Sequence, residues 1–109
     1  MAVLWTLALA CLRYMEYITF IHDNADAETS AEEWDQFFEL ARESGLFRGG
    51  SAMGNRTTIG NQNVPDVTEH IGGYMRFDAE SLDALTELLN QHPVVQHGGT
   101  IEICELPKT

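Results

Sequence analysis

Histidines are the residues of this sequence best suited to acid–base chemistry, because imidazole titrates close to neutral pH. The sequence has four of them: His22, His70, His92 and His97. A carboxylate beside an imidazole would orient it as a general base, and Asp23 and Asp66 are candidates for that role. His22, which Asp23 follows directly, is one candidate for such a pair. The simpler alternative is that each histidine is a half-exposed residue at the end of a strand.

The same groups could instead hold a divalent metal ion through two or three imidazoles and a carboxylate. The sequence lacks the HxH, HxxxH and HExxH spacings that bring histidines together on one strand or helix. We therefore expect no metal and no cofactor. Two histidines also have structural explanations. His92, before Pro93, is expected as a cation at the C-terminal end of a helix, and His97, before two glycines, would shape a turn.

Arginines on predicted strands are the other candidates for ligand binding. In a largely apolar sheet the charge of a guanidinium must be balanced by a carboxylate or by an anionic ligand. Two arginines, at positions 48 and 76, are expected to meet Glu16 or Glu102 in an interfacial salt bridge. The functional alternative is that an arginine binds an anionic ligand through two hydrogen bonds. A tyrosine on the same face of the strand would then contact the ligand with its ring. The predicted ligand-binding residues are Arg48, His70, Tyr74, Arg76 and His97.

The elements that must position these residues begin with a strand from Leu12 to His22, dense in aromatic and β-branched residues and apolar on both parities. Ser30 with Glu33 three residues later forms a capping box for a first helix, which ends at Gly45. Its apolar stripe of Trp34, Phe37, Phe38 and Ala41 predicts packing against a core.

The second half of the chain repeats this alternation. A second strand is predicted over 46–51, with the glycine pair at 49–50 marking a bulge or a close backbone approach. Residues 53–65 are expected to form a twisted hairpin arm with a strand-like segment at 56–59. A third strand over 71–77 precedes a helix capped by Asp78 and stopped at His92-Pro93, and a last strand covers 100–106.

The predicted order is therefore βαββαβ. It packs most simply as a ferredoxin-like α+β fold, a four-stranded antiparallel sheet of order 4-1-3-2 with both helices on one face. This arrangement brings the four histidines to one edge of the sheet. The first strand is too apolar to leave its other face in water, so we expect a homodimer that packs sheet on sheet around a cavity, a dimeric α+β barrel.

Composition limits the partners. The chain has 109 residues and a net charge of −11, and its six basic residues are scattered, so nucleic acid and anionic membranes are poor partners. The two cysteines, Cys11 and Cys104, have no CxxC pairing, which indicates a reduced, cytoplasmic protein. Residues 1–11 are an apolar extension too short to span a bilayer, and residues 12–107 are expected to form a single domain.

Several segments together resemble the YCII-related (DGPF-type) domain family. They include RGG at 48–50, GGY at 72–74 and HGGT at 97–100, and the resemblance extends from residue 13 to about residue 105. It implies a dimeric ferredoxin-like α+β barrel, in a family mostly without assigned activity and with a few members linked to lyase-type chemistry. Some relatives carry a His-Asp pair proposed as catalytic, which corresponds to His22-Asp23. The DGPF tetrapeptide is replaced here by Asn61, Gln62, Asn63 and Val64.

The preferred interpretation is a cytoplasmic homodimer that binds a small organic molecule between its two sheets. A histidine acid/base would support a lyase or isomerase reaction, because such reactions need only a base and a shaped apolar pocket. The alternative is a non-catalytic accessory or sensor protein that acts through ligand or partner binding. A third possibility is a purely structural dimer, which predicts no cavity.

Overall fold

Four strands form one antiparallel sheet in the computed structural model, which describes residues 14–65 and 68–108. The strands are β1 (Met15–His22), β2 (Phe47–Ala52), β3 (Ile71–Ala79) and β4 (Ile101–Leu106). Their order across the sheet is β2-β3-β1-β4. This confirms the predicted ferredoxin-like α+β fold, whose order 4-1-3-2 is the same sheet counted from the other edge. The predicted extension over 1–11 and Asp66 lie outside the described residues.

Helices connect these strands. They are α1 (Ala31–Ser44), α2 (Leu82–Leu89) and the single turn α3 (Pro93–Gln96), and a 3-10 turn at Thr68–His70 leads into β3. The capping box of α1 is confirmed: the Glu33 N–H donates to Ser30 Oγ at 3.1 Å, and the Ser30 N–H donates to Glu33 Oε1 at 3.0 Å. Gly45 ends the helix with φ of 74°, as predicted.

The core lies on one face of the sheet. Alternate residues of β1 and β3, such as Tyr17 and Met75, are buried there against Phe37 of α1 and Leu85 of α2. The intervening residues lie on the opposite face, because side chains alternate along a strand. We call this opposite face the open face; Ile18, Phe20, Tyr74, Cys104 and Leu106 are half-buried on it.

The glycine pair of β2 forms the predicted bulge. The pairing of β2 with β3 shifts register between Phe47 and Gly49, and Gly49 has φ of 110°, a conformation that side chains disfavour. A Cβ on Gly50 would overlap the Tyr74 carbonyl oxygen and lie 2.9 Å from the Met75 Cα. Both glycines are therefore required by the backbone, which confirms the interpretation from sequence.

The structure differs from the sequence prediction at the start of α2 and in the segment 53–65. Asp78 does not cap α2, because β3 continues to Ala79, which pairs with Met15. The cap is Ser81, whose Oγ accepts a hydrogen bond from the Ala84 N–H at 3.1 Å. The predicted strand-like arm at 53–65 is also wrong, since this segment has no strand. Arg56 holds it instead by donating to the main-chain oxygens of residues 54, 68 and 71.

Candidate functional site

A cavity of about 650 Å³ lies on the helix-covered side of the sheet, between the strands, α1 and the loop of residues 23–30. We call this segment the 23–30 loop. The cavity differs from the predicted one, which was placed on the open face between two copies of the chain. That intersheet cavity stays a prediction, whereas the cavity described here is formed within one chain.

Small residues create this space. The sheet contributes Gly50, Ala52 and Gly73, and the 23–30 loop contributes Ala25 and Ala27. All five are glycine or alanine, so they contribute few side-chain atoms to this part of the structure.

Aromatic side chains of α1 form one wall of the cavity. Trp34 and Phe38 line it, with ring centroids 5.8 Å apart. The indole Nε1–H of Trp34 donates to Thr29 Oγ1 at 2.7 Å, and the ring meets His92 edge-on at 4.6 Å between centroids. These contacts hold the indole in one orientation, so the wall is formed before any ligand enters.

Carboxylates border the cavity at both ends of the 23–30 loop. Asp23 and Glu28 are lining residues, and no lysine or arginine of the described part of the chain belongs to the lining. The main-chain N–H of Asp23 donates to the His70 carbonyl oxygen at 2.8 Å, and its carboxylate occupies the space that a Cβ on Gly72 would need. Asp23 is thereby fixed against the start of β3.

His22 borders the cavity at the end of β1 and pairs with a carboxylate that the sequence did not predict for it. Its Nε2 lies 2.9 Å from Glu102 Oε1, and its ring centroid lies 5.2 Å from that of His70. A carboxylate only accepts hydrogen bonds, so Nε2 carries a proton, and in the neutral ring Nδ1 is then the nitrogen with the lone pair. Glu102 pairs with Phe20 on the open face, so the imidazole is turned toward that face. The geometry gives an oriented imidazole with one basic nitrogen.

His97 lies away from the cavity and holds the segments around it. Its Nε2 lies 2.6 Å from Glu33 Oε2, and its carbonyl oxygen accepts from the Asp26 N–H at 2.8 Å. The hydrogen bond with His97, followed by the one from the Ser30 main chain, lowers the pKa of Glu33 below its usual value. His97 is a structural partner of α1 and the 23–30 loop in this arrangement.

Neither predicted arginine reaches the cavity. Arg48 Nε donates to Asp78 Oδ2 at 2.9 Å, and its guanidinium also donates to the Gly45 carbonyl oxygen. Within the chain, Arg48 therefore pairs with neither Glu16 nor Glu102 but with Asp78, and a pairing across the dimer stays a prediction. Arg76 is exposed on the open face opposite Ile18.

His92 is not a helix-end cation, which corrects the sequence prediction. It is fully buried at the start of α3, where Nδ1 accepts a hydrogen bond from the Val94 N–H at 3.1 Å. The ring packs against Trp34 and Phe37, each at 4.6 Å between centroids. Burial lowers the pKa of His92 to about 4, so the imidazole is neutral at physiological pH.

Of the predicted site residues, His22 and Asp23 line the cavity, and His70 lies next to His22. Tyr74 is also a lining residue, although its side chain lies on the open face. Arg48, Arg76 and His97 do not line it. Sequence reasoning missed Glu102 as the partner of His22, although the alternation along neighbouring strands already places both on one face. It also missed Glu28 and the small residues, which have no motif.

Two further statements concern only the described part of the chain. No three side chains of His, Cys, Asp or Glu type gather closely enough there to hold a metal ion. No helix within residues 14–65 and 68–108 has the length and hydropathy needed to cross a membrane.

Comparison with solved structures shows a shared fold. The 5-chloro-2-hydroxyhydroquinone dehydrochlorinase from Burkholderia phenoliruptrix AC1100, in complex with 2,5-dihydroxybenzoquinone, superposes with a TM-score of 0.56 at 13% identity, covering 87% of this chain and 96% of that one. PH0061 superposes with a TM-score of 0.51 at 10% identity, covering 91% of this chain and 55% of that one. At these identities the likeness concerns the fold alone. No protein-family model matches the chain, and no curated protein does.

Protonation of His92 should destabilise the fold as pH falls. The pKa of this histidine is about 4 in the fold and 6.5 for an unperturbed histidine, so between these values the unfolded chain binds more protons. Stability from the neutral ring is complete above pH 6.5, falls toward pH 4 and then levels off. Between pH 7.5 and pH 5 the native protein should lose about 2 kcal/mol that His92→Asn does not lose.

The measurement is urea unfolding of both proteins at the two pH values. Asparagine can still accept the Val94 N–H but does not titrate, so the other acidic groups cancel in the comparison. An equal pH dependence in the two proteins would contradict a buried neutral His92.

Proposed function

We propose that this protein binds a small organic molecule in the cavity between α1 and the sheet. The observation that carries the proposal is the space of about 650 Å³, with a wall of preformed aromatic side chains and a few polar groups at its border. This size and this lining are typical of small-molecule sites. The dehydrochlorinase that shares the fold was crystallised with a single-ring quinone, which supports a ligand of that scale.

His22 is the acid/base candidate of the proposal. Its hydrogen bond to Glu102 leaves Nδ1 as a basic nitrogen at the border of the cavity, with Asp23 adjacent. A lyase or isomerase reaction fits such a base, because it needs proton removal and no further group. The assignment to the YCII-related family and a cytoplasmic location are parts of the same proposal.

Ligand binding without turnover is the second candidate function. The orientation of the His22 imidazole favours it, because Glu102 draws the ring toward the open face. A sensor or accessory protein needs a cavity that binds the ligand, but it needs no base directed into that cavity.

We further propose that the chain forms a homodimer through the open face. Ile18, Phe20, Tyr74 and Leu106 lie there on adjacent strands, and the buried residues of α1 and α2 all belong to the core on the other side. A contiguous apolar surface of this kind is usually covered by a partner. A second copy would cover it by packing sheet on sheet.

Filling the cavity should abolish ligand binding without unfolding the chain. Ala27 is an exposed lining residue, so Ala27→Trp would place an indole at the cavity mouth without disturbing the core. Fragments that raise the melting temperature of the native protein should no longer do so in Ala27→Trp, because a ligand stabilises only the state that it binds. Ala84→Trp is the control, since Ala84 is exposed on α2 outside the lining. Fragments that stabilise Ala27→Trp as much as Ala84→Trp would show that they bind elsewhere.

Replacing His22 separates an enzyme from a binding protein. Fragments selected by the thermal-shift screen are incubated with the native protein and with His22→Asn, and products are measured by mass spectrometry. The enzyme hypothesis predicts turnover that the variant loses while the dissociation constant changes less than about threefold. Undiminished turnover in His22→Asn would exclude His22 as the base, and the absence of turnover in the native protein would favour the sensor.

Dimerisation through the open face is tested by sedimentation equilibrium. The native protein should have twice the 12.2 kDa mass of one chain, and Phe20→Asp should reduce it to one chain because a carboxylate would be buried between the sheets. Ile59→Asp is the matched control, since Ile59 is 92% exposed outside the sheet. A native mass of 12.2 kDa, or a dimer that survives Phe20→Asp, would contradict the proposed interface.

A further inference from the structure

The lining of the cavity selects ligands by their charge. Among residues 14–65 and 68–108, the fixed charges of its lining are the carboxylates Asp23 and Glu28, with no lysine or arginine. We infer that the cavity takes a molecule in which an aromatic or apolar body carries a cationic amine, and that it rejects carboxylates. This inference rests on the proposed function and names the ligand class of the same site.

Both carboxylates are placed to meet a ligand at the border of the cavity. Asp23 and Glu28 are exposed, so neither pays the cost of a buried charge before binding. Among the residues that the structure describes, no side chain or main-chain N–H donates to either carboxylate. An ammonium group held at the border would therefore gain ionic hydrogen bonds without breaking existing ones.

The aromatic wall favours the same ligand class. The aromatic side chains Trp34 and Phe38 line the cavity, and the Thr29 hydroxyl accepts a hydrogen bond from the indole N–H at 2.7 Å. A cation near an aromatic face is attracted by the ring quadrupole, most strongly by tryptophan. The ring system of a ligand would also stack on the aromatic wall, so one site would bind both the apolar body and the amine.

The described arginines near the cavity are not part of its lining. The guanidinium of Arg48 is held by Asp78, and Arg76 lies on the open face. Arg42 lies 6.0 Å from the Phe38 ring centroid but is not a lining residue. His22 is the lining residue able to carry a positive charge, and Glu102 already pairs with it.

Three probes that share one ring system test the inference: 1-naphthylmethylamine, 1-naphthalenemethanol and 1-naphthoate. Their dissociation constants are measured by calorimetry at neutral pH with the native protein. The amine should bind about tenfold tighter than the alcohol, and naphthoate at least about tenfold weaker than the alcohol. Raising the salt concentration should reduce the advantage of the amine and leave the alcohol unchanged.

Two double variants separate the cavity charges from the net charge of −11. Asp23→Asn with Glu28→Gln should bring the affinities of amine and alcohol close to equality while the alcohol still binds. Glu39→Gln with Glu43→Gln removes the same charge from exposed positions of α1 outside the lining, and should keep the preference for the amine.

The outcomes distinguish the inference from the proposed function. Equal binding of naphthoate and amine by the native protein, or an equal loss of preference in the two double variants, would overturn the inference and leave the cavity as a small-molecule site. Failure of all three probes to bind would contradict the proposed function itself. The preference for the amine, lost only in the lining variant, would support the inference.

Discussion

The carboxylate of Glu33 joins the start of α1, which forms one wall of the cavity, to His97 in the turn before β4. Its Oε1 accepts the Ser30 N–H and fixes the start of α1, while its Oε2 lies 2.6 Å from His97. The carbonyl oxygen of His97 in turn accepts the Asp26 N–H, so the 23–30 loop is tied to the turn before β4. Without this carboxylate α1 would lose its hydrogen bond to His97 and one half of its capping box. The cavity therefore depends on a side chain that does not line it.

The cavity lies near the end of β1, between α1 and the sheet. The sheet residues there are small and fill the space between the two layers only partly. Toward the centre of the sheet, Phe37 and Phe77 are almost fully buried and close the space between the layers. Near the end of β1 the sheet offers glycine and alanine instead, and α1 offers an indole whose orientation is already fixed. A cavity of this origin costs packing energy in the unliganded fold. A ligand that fills it recovers those contacts.

The local signals in the sequence were sufficient for the fold. Three local signals each predict one structure: the capping box at Ser30, the glycine at the end of α1 and the alternation of β3. The strand order follows from short connections and right-handed crossovers. His92-Pro93 was ambiguous, because a proline that stops one helix also begins the next, and burial of the imidazole depends on Trp34 and Phe37 from a distant element. The site could be predicted only in part for the same reason. The pairing of His22 with Glu102 joins residues 80 positions apart, and the cavity is made by residues that carry no chemical signal.

The central proposal is that a small organic molecule binds between α1 and the sheet. Titration with 1-naphthalenemethanol, followed by nitrogen–proton correlation spectra of the labelled protein, tests it most directly. The account predicts saturable shifts of the Trp34 indole N–H and of the Ala27 and Ala52 amides, all of which line the cavity. Shifts confined to Ile18 and Leu106 on the open face, or no saturable shift at Trp34, would contradict it.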